Sequence, residues 1–206
     1  MNSTLITPPT YPARPVNGGP FEKALPKTGD WYYEPKYNGW RAWVHAPTRT
    51  MFNRHGELLS IAHTFDAVLN DIQARHNAEM PWLDVEALGR RHDIGRGSLI
   101  ILDYLPSSPG TYKNRRSLLE LACACWKWPL LKELNKPVPD NSIHLTMSYR
   151  AEGAPQLWEI LKQCNAALGC EFYEGFVAKR ADSLYPIQLR NPKLEFPFWI
   201  KHRWAF

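Results

Sequence analysis

The sequence predicts an α+β fold with largely antiparallel sheets and flanking helices. Three observations carry that reading: residues alternate with a period of two from 31 to 44, short alternating or apolar runs recur at 50–53, 82–88, 98–105 and 143–147, and stretches of helical spacing lie between them. Hairpins interspersed with helices fit this class better than a doubly wound parallel sheet.

In chain order, residues 1–30 are rich in proline, with Gly18-Gly19-Pro20 and little periodicity, and read as an extended arm preceding a single domain over 31–206. Trp31-Tyr32-Tyr33-Glu34 enters and Trp40-Arg41-Ala42-Trp43-Val44 leaves what reads as a hairpin closed by Asn38-Gly39. Lys36 then stands on a rigid strand among Trp and Tyr side chains and faces Arg41. Partial desolvation and a like charge favour its neutral amine, which makes it the candidate nucleophile.

A helix is expected from Thr64 as N-cap, with Phe65, Val68, Leu69 and Ile72 on its buried face. In the strand Trp82-Leu83-Asp84-Val85-Glu86-Ala87-Leu88, Asp84 and Glu86 share one face. The run 98–105 reads as a buried strand, 106–113 as a flexible Ser/Pro/Gly loop, and 115–134 as a helix broken or kinked at Pro129. Leu157, Trp158, Ile160, Leu161, Cys164 and Leu168 mark a last helix, stopped at Gly169.

With 206 residues, 44% of them hydrophobic, the chain suffices for one full core and is short for two. Cys123, Cys125, Cys164 and Cys170 lack metal-site spacing and read as reduced core residues. No apolar run reaches the roughly 20 residues of a membrane span, and no secretory signal opens the chain, so no membrane association and a cytoplasmic location are expected. The net charge of +5 is concentrated late: from Phe176 onward Lys179, Arg180, Arg190, Lys193, Lys201 and Arg203 face only Asp182 and Glu195. A phosphate backbone suits that end.

Several stretches carry a family resemblance in order: Lys36-Tyr37-Asn38-Gly39-Trp40-Arg41, Arg54-His55-Gly56, Leu83-Asp84-Val85-Glu86, Leu102-Asp103-Tyr104-Leu105, Glu174-Gly175-Phe176-Val177-Ala178-Lys179 and Phe198-Trp199-Ile200-Lys201-His202-Arg203. Together they resemble the motifs of the covalent nucleotidyltransferase superfamily, the ATP-dependent DNA ligases and their relatives, over about Trp31 to Arg203. The fold this implies is the nucleotidyltransferase (ATP-grasp-like ligase adenylation) domain, and the activity is nick sealing in duplex DNA, as in DNA repair and replication, with ATP and Mg²⁺. The partner implied is nicked double-stranded DNA or, in the alternative, RNA, met by a monomer.

The resemblance also implies roles. Lys36 is the nucleophile that takes AMP, while Lys179 and Lys201 face the α-phosphate. Glu174 is the metal-side carboxylate, and Glu86 holds the ribose or assists the metal. Arg41 and Arg54 hold ribose or phosphate oxygens, and Glu34 reads the adenine edge. Leu102 stands where the family places an aromatic residue against the adenine, and Tyr104, on the same face of a regular strand, is the substitute.

The chain departs from the family pattern at Asn38, in place of aspartate, at Val85, in place of glycine, and at Arg203, in place of a second lysine. It ends three residues after Arg203, so no oligonucleotide-binding barrel is expected. A minimal ligase, a partner-dependent one, a fragment, an RNA ligase and a non-catalytic nick-binding relative all stay open.

Overall fold

The computed structural model describes residues 6–19, 21, 26, 28–76, 78–108, 110–186, 191 and 193–204. Ten strands and three α-helices are found among them. They are β1 (Arg14–Asn17), β2 (Trp31–Tyr37), β3 (Trp40–His45), β4 (Thr50–Asn53), α1 (Asp66–Arg75), β5 (Trp82–Ala87), β6 (Leu99–Tyr104), α2 (Tyr112–Trp126), β7 (Ile143–Leu145), β8 (Tyr149–Arg150), α3 (Ala154–Leu168), β9 (Tyr173–Arg180) and β10 (Glu195–Arg203). The strands form two five-stranded sheets, ordered β1-β10-β9-β2-β8 and β4-β3-β5-β6-β7. Only β1 with β10 and β6 with β7 pair in parallel among the described strands, so the mixed, largely antiparallel α+β architecture is the one the sequence predicts.

The expected hairpin is absent. β2 pairs with β9 and β8 in the first sheet, whereas β3 pairs with β4 and β5 in the second. Neither Asn38 nor Gly39 has the positive φ that a two-residue hairpin turn requires. These two residues instead carry the chain from sheet to sheet: the Asn38 amide donates to the Phe172 carbonyl at 2.9 Å, and Gly39 N–H donates to Glu86 Oε1 at 3.0 Å. Gly39 is there for close approach, since a Cβ would lie 2.7 Å from the Ala87 carbonyl oxygen.

The proline-rich stretch is not only an arm. Its residues 14–17 form β1 beside β10, and buried Ala13 is pinned by Tyr185 Oη at 3.1 Å and by Arg41. Residues 1–5, 20, 22–25 and 27 of that stretch lie outside the described residues, as does Arg190.

The helices differ in detail from expectation. Thr64 does not cap α1; a 3₁₀ turn (Ala62–Phe65) precedes the helix, and the Thr64 hydroxyl donates to the Ile61 carbonyl at 2.8 Å. Helix α2 begins earlier, where Thr111 accepts from Asn114 N–H, and ends at Lys127, whose φ of 61° breaks it well before Leu134. The chain beyond runs beside β7 instead, with Leu131 N–H donating to the Leu145 carbonyl at 2.9 Å. In the loop 106–113, Pro109 lies outside the described residues, while Tyr112 and Lys113 are tied to the Ser183 and Ala181 carbonyls. Gly169 ends α3 with a φ of 67°, as expected, but Ile160 is exposed.

One core packs the second sheet (Val44, Leu83, Val85, Ile101) against Val68, Leu69, Ile72, Leu119 and Trp126 of α1 and α2. Another packs the first sheet (Tyr33, Phe176, Ala178) against Leu157, Trp158 and Leu161 of α3. Each such buried side chain contributes about 1.5–3 kcal/mol, so the strands that carry the polar residues below are firmly held. Cys123 and Cys164 are buried, but Cys125 is exposed rather than in the core; none of the four is disulfide-bonded. Among the described residues, no helix is long and apolar enough to cross a membrane.

Candidate active site

Three strands of the first sheet converge at Gly175. Lys36 on β2 and Arg203 on β10 both pair with it in register, one from each side of β9. A Cβ at 175 would lie 1.9 Å from the His202 carbonyl oxygen, and φ is +138°, so only glycine lets the strands approach this closely. The next side chain along β9, Glu174, meets both neighbours: the Lys36 ammonium donates to its Oε2, and Arg203 Nη2 lies 3.2 Å from the same oxygen. A third cation, Arg91 in the turn segment after β5, approaches Oε1 at 3.7 Å.

Lys36 therefore bonds a carboxylate, and the arginines beside it are Arg203 and Arg91 rather than Arg41, which corrects the like-charge argument. Arg41 is committed elsewhere: it binds Asp84 through Nε at 2.9 Å and Nη2 at 2.5 Å, donates to the Ala13 carbonyl and lies over Trp199. This pair holds its guanidinium above the usual range despite burial. No ribose or phosphate oxygen can displace that fork without stranding the buried Asp84.

Glu86 shares the Asp84 face of β5, as the alternation predicts, and its carboxylate accepts from Gly39 N–H. Burial pushes its pKa up to about 7, opposed by Lys36, Arg41 and the Gly39 amide and assisted by Glu174. Lys201, half-buried on β10, is held below the usual lysine range by burial and then by Arg203, with Lys36 adding to the effect.

Glu34 and Lys179 form a separate, buried centre. Lys179 Nζ lies 2.7 Å from Glu34 Oε2, donates to the Leu102 carbonyl at 3.1 Å, and sits over the rings of Trp199 and Tyr112. Tyr112 donates to Glu34 Oε1, and Arg116 Nη1 lies 3.8 Å from the same oxygen. So the Glu34 carboxylate is taken by side chains rather than presented to a base edge, and Lys179 is 3% exposed rather than open to a phosphate. Leu102 is half-buried at a β-bulge, where the β5–β6 register shifts. The bulge turns Tyr104 into the core of the second sheet, away from Leu102, so the two do not share a face. Arg54 is exposed, its Nε donating to His55 Nε2 at 3.1 Å, and among the described residues nothing ties it to Lys36.

Sequence reasoning missed Arg91. The only signal was the basic run Arg90-Arg91-His92 directly after the Glu86 strand. Asn38 joins the cluster through it, accepting from Arg91 Nη1 at 3.2 Å while its own amide donates to the Glu171 carbonyl at 2.9 Å. Chemically, the arrangement offers a half-buried primary amine, two carboxylates beside it, and an excess of cations. That combination attracts a polyanion and can hold its oxygens while the amine attacks.

No family model matches the sequence, and no curated protein sequence does. Solved structures match the fold. Mycobacterial DNA ligase D complexed with ATP and MES superposes with a TM-score of 0.64 at 18% identity, over 95% of this chain and 60% of that one. The Chlorella virus DNA ligase-adenylate gives 0.59 at 11%, over 94% and 69%. An archaeal ATP-dependent RNA ligase gives 0.52 at 14%, over 94% and 48%. The chain thus has the fold of the ATP-dependent ligase catalytic domains and spans 60% of the mycobacterial ligase.

Proposed function

We propose that this chain is the nucleotide-transfer domain of an ATP-dependent polynucleotide ligase that seals nicks in duplex DNA, acting as a monomer. The observation that carries the reading is the Lys36 amine at the meeting of β2, β9 and β10, bonded to Glu174 and ringed by Arg91, Arg203 and Lys201, on a ligase fold.

Lys36 attacks the α-phosphate of ATP and becomes the carrier of AMP. Its ammonium gives up one proton before attack and a second as the N–P bond forms, and Glu174 and Glu86 are the bases beside it. Arg203 and Lys201 offset charge that builds on the phosphate oxygens, and Gly175 keeps both strands close enough for this. The AMP then passes to a 5′-phosphate, and a 3′-hydroxyl displaces it.

Mg²⁺ keeps several waters and takes one or two carboxylates along with phosphate oxygens. The donor set fits that habit: Glu174 bonded to Lys36 and Glu86 bonded to the Gly39 amide three residues on are two hard carboxylates, and among the described residues no group of three metal-ligating side chains exists. Glu174 and Glu86 would hold the ion, which supplies further neutralisation of the phosphates.

The test is incubation with α-labelled ATP or GTP and Mg²⁺, followed by a denaturing gel and intact mass. An AMP adduct is expected on the wild type and none on Lys36→Ala; labelling of Lys36→Ala at the wild-type level overturns the assignment. Nicked duplex DNA is then expected to be sealed. Glu34-Pro35-Lys36 and Phe198-Trp199-Ile200-Lys201 favour DNA, and the fold match to an RNA ligase keeps nicked RNA as the second substrate to offer.

A further inference from the structure

The cations around Glu174 are not equivalent. Lys36 and Arg203 reach Oε2 from strands of the first sheet, whereas Arg91 meets Oε1 from the turn segment that joins β5 to β6 in the second. That segment is pinned at its base: Leu88 N–H donates to the Ser98 carbonyl at 3.0 Å and Arg96 N–H to Asp140 Oδ1 at 2.8 Å. Gly89, at φ +80°, brings its backbone so close that a Cβ would sit 2.5 Å from Arg96 Cα. Arg91 therefore projects from a fixed turn, and its side chain is 51% exposed and open to an anion arriving from solvent.

Asn38 sets its direction. The Asn38 carbonyl oxygen accepts from Arg91 Nη1, and its amide donates to the Glu171 carbonyl, three residues before Glu174. A carboxylate at this position would set an oxygen against the Glu171 carbonyl and would spend the guanidinium charge in an ion pair. A neutral amide orients the guanidinium and leaves its charge available.

In-line displacement at phosphorus places the leaving group opposite the nucleophile. Lys36 and Arg203 hold one oxygen of Glu174 from the strands, with Lys201 two residues before Arg203 on β10, and Arg91 approaches the other oxygen from the turn segment. Resting on the nucleotide-transfer reading above, we propose that Arg91, oriented by Asn38, is the cation that receives the departing pyrophosphate. In that step the Lys36 nitrogen forms its bond to the α-phosphorus, the bond from that phosphorus to the bridging oxygen breaks, and pyrophosphate leaves with the electron pair. The amine protons go to the neighbouring carboxylates and water.

The first readout is binding, by calorimetric titration of inorganic pyrophosphate with Mg²⁺ into the purified chain. Arg91→Ala is expected to weaken it about tenfold or more, Arg91→Lys to recover part of the loss, and Asn38→Asp to weaken it by consuming the Arg91 charge. The second readout uses protein already carrying AMP on Lys36. Reversal by pyrophosphate should need about tenfold more pyrophosphate for half-saturation in Arg91→Ala than in the wild type, with Arg91→Lys in between. Unchanged pyrophosphate affinity, or a slower reversal that is half-saturated at the wild-type pyrophosphate concentration, overturns the assignment. If the wild type forms no Lys36 adduct, the nucleotide-transfer reading fails by itself, and an Arg91-dependent titration then leaves an anion site without transfer.

Discussion

Two polar clusters lie within the same molecule, and they are built from the same kinds of side chain. In the interior, Glu34 and Asp103 answer Lys179, Arg115 and Arg116, the exposed Glu120 supplies a third carboxylate to Arg116 from the rim, and Tyr112 adds a hydrogen bond. At the strand ends, Lys36, Arg91 and Arg203 share the carboxylate of Glu174, and with Glu86 beside them and Lys201 on β10 the cations still outnumber the carboxylates. The first cluster is sealed at its centre, with Glu34 and Lys179 at 2% and 3% exposure. The second stays open to solvent. The difference teaches where to look for chemistry: balanced, buried charge holds strands in place, and unbalanced, accessible charge waits for a counter-ion that the protein does not itself supply.

Truncation separates the clusters most sharply. Glu34→Ala leaves Lys179 buried without its carboxylate, while Arg116 keeps Glu120, and a loss of about 3–5 kcal/mol is expected in urea unfolding followed by tryptophan fluorescence. A loss below about 1 kcal/mol would show that the interior cluster is not structural.

The next effect is set by pH. Folded Glu86 keeps its proton up to about pH 7, while the unfolded chain releases it near its ordinary value, roughly 4.3. The folded state thus binds more protons across that window, and stability falls as pH rises through it, by about 4 kcal/mol at most. Unfolding measured in chelator from pH 4.5 to 7.5 should show this slope, and Glu86→Gln should flatten it.

Glu174→Ala is expected to change stability by no more than about 1 kcal/mol, because its partners remain hydrated, while adduct formation on Lys36 is lost. A stability loss equal to that of Glu34→Ala would erase the distinction between the clusters. Smallest of all, Cys125→Ser, exposed and in neither cluster, should leave stability within about 0.5 kcal/mol and adduct formation unchanged.

What the sequence disclosed is what local spacing can encode. The α+β class, the shared face of Asp84 and Glu86, the stop at Gly169 and the ligase-like run around Lys36 all depend on residues near one another in the chain. Misread features depend on partners far away. Asn38-Gly39 has the composition of a hairpin turn, but the edges of β2 are claimed by β9 and β8, more than 100 positions later. The pairing of Glu34 with Lys179 and the β-bulge at Leu102 likewise depend on cross-strand register, which no local pattern states. Arg91 went unnoticed because a basic residue in a turn is ordinarily a solvated one.

The passage through Asn38 and Gly39 makes the site a seam between the sheets. Lys36 and Glu174 ride on one, Glu86 and the base of the Arg91 turn on the other, and the Gly39 amide bonded to Glu86 spans the gap. Parting the sheets would pull this cluster open and, with it, the contacts of Ile100 with the first-sheet core and of Trp199 with Trp43 and Trp82. In native-state hydrogen exchange the Gly39 amide is then a built-in gauge, its protection reporting how long the two sheets stay joined at this point.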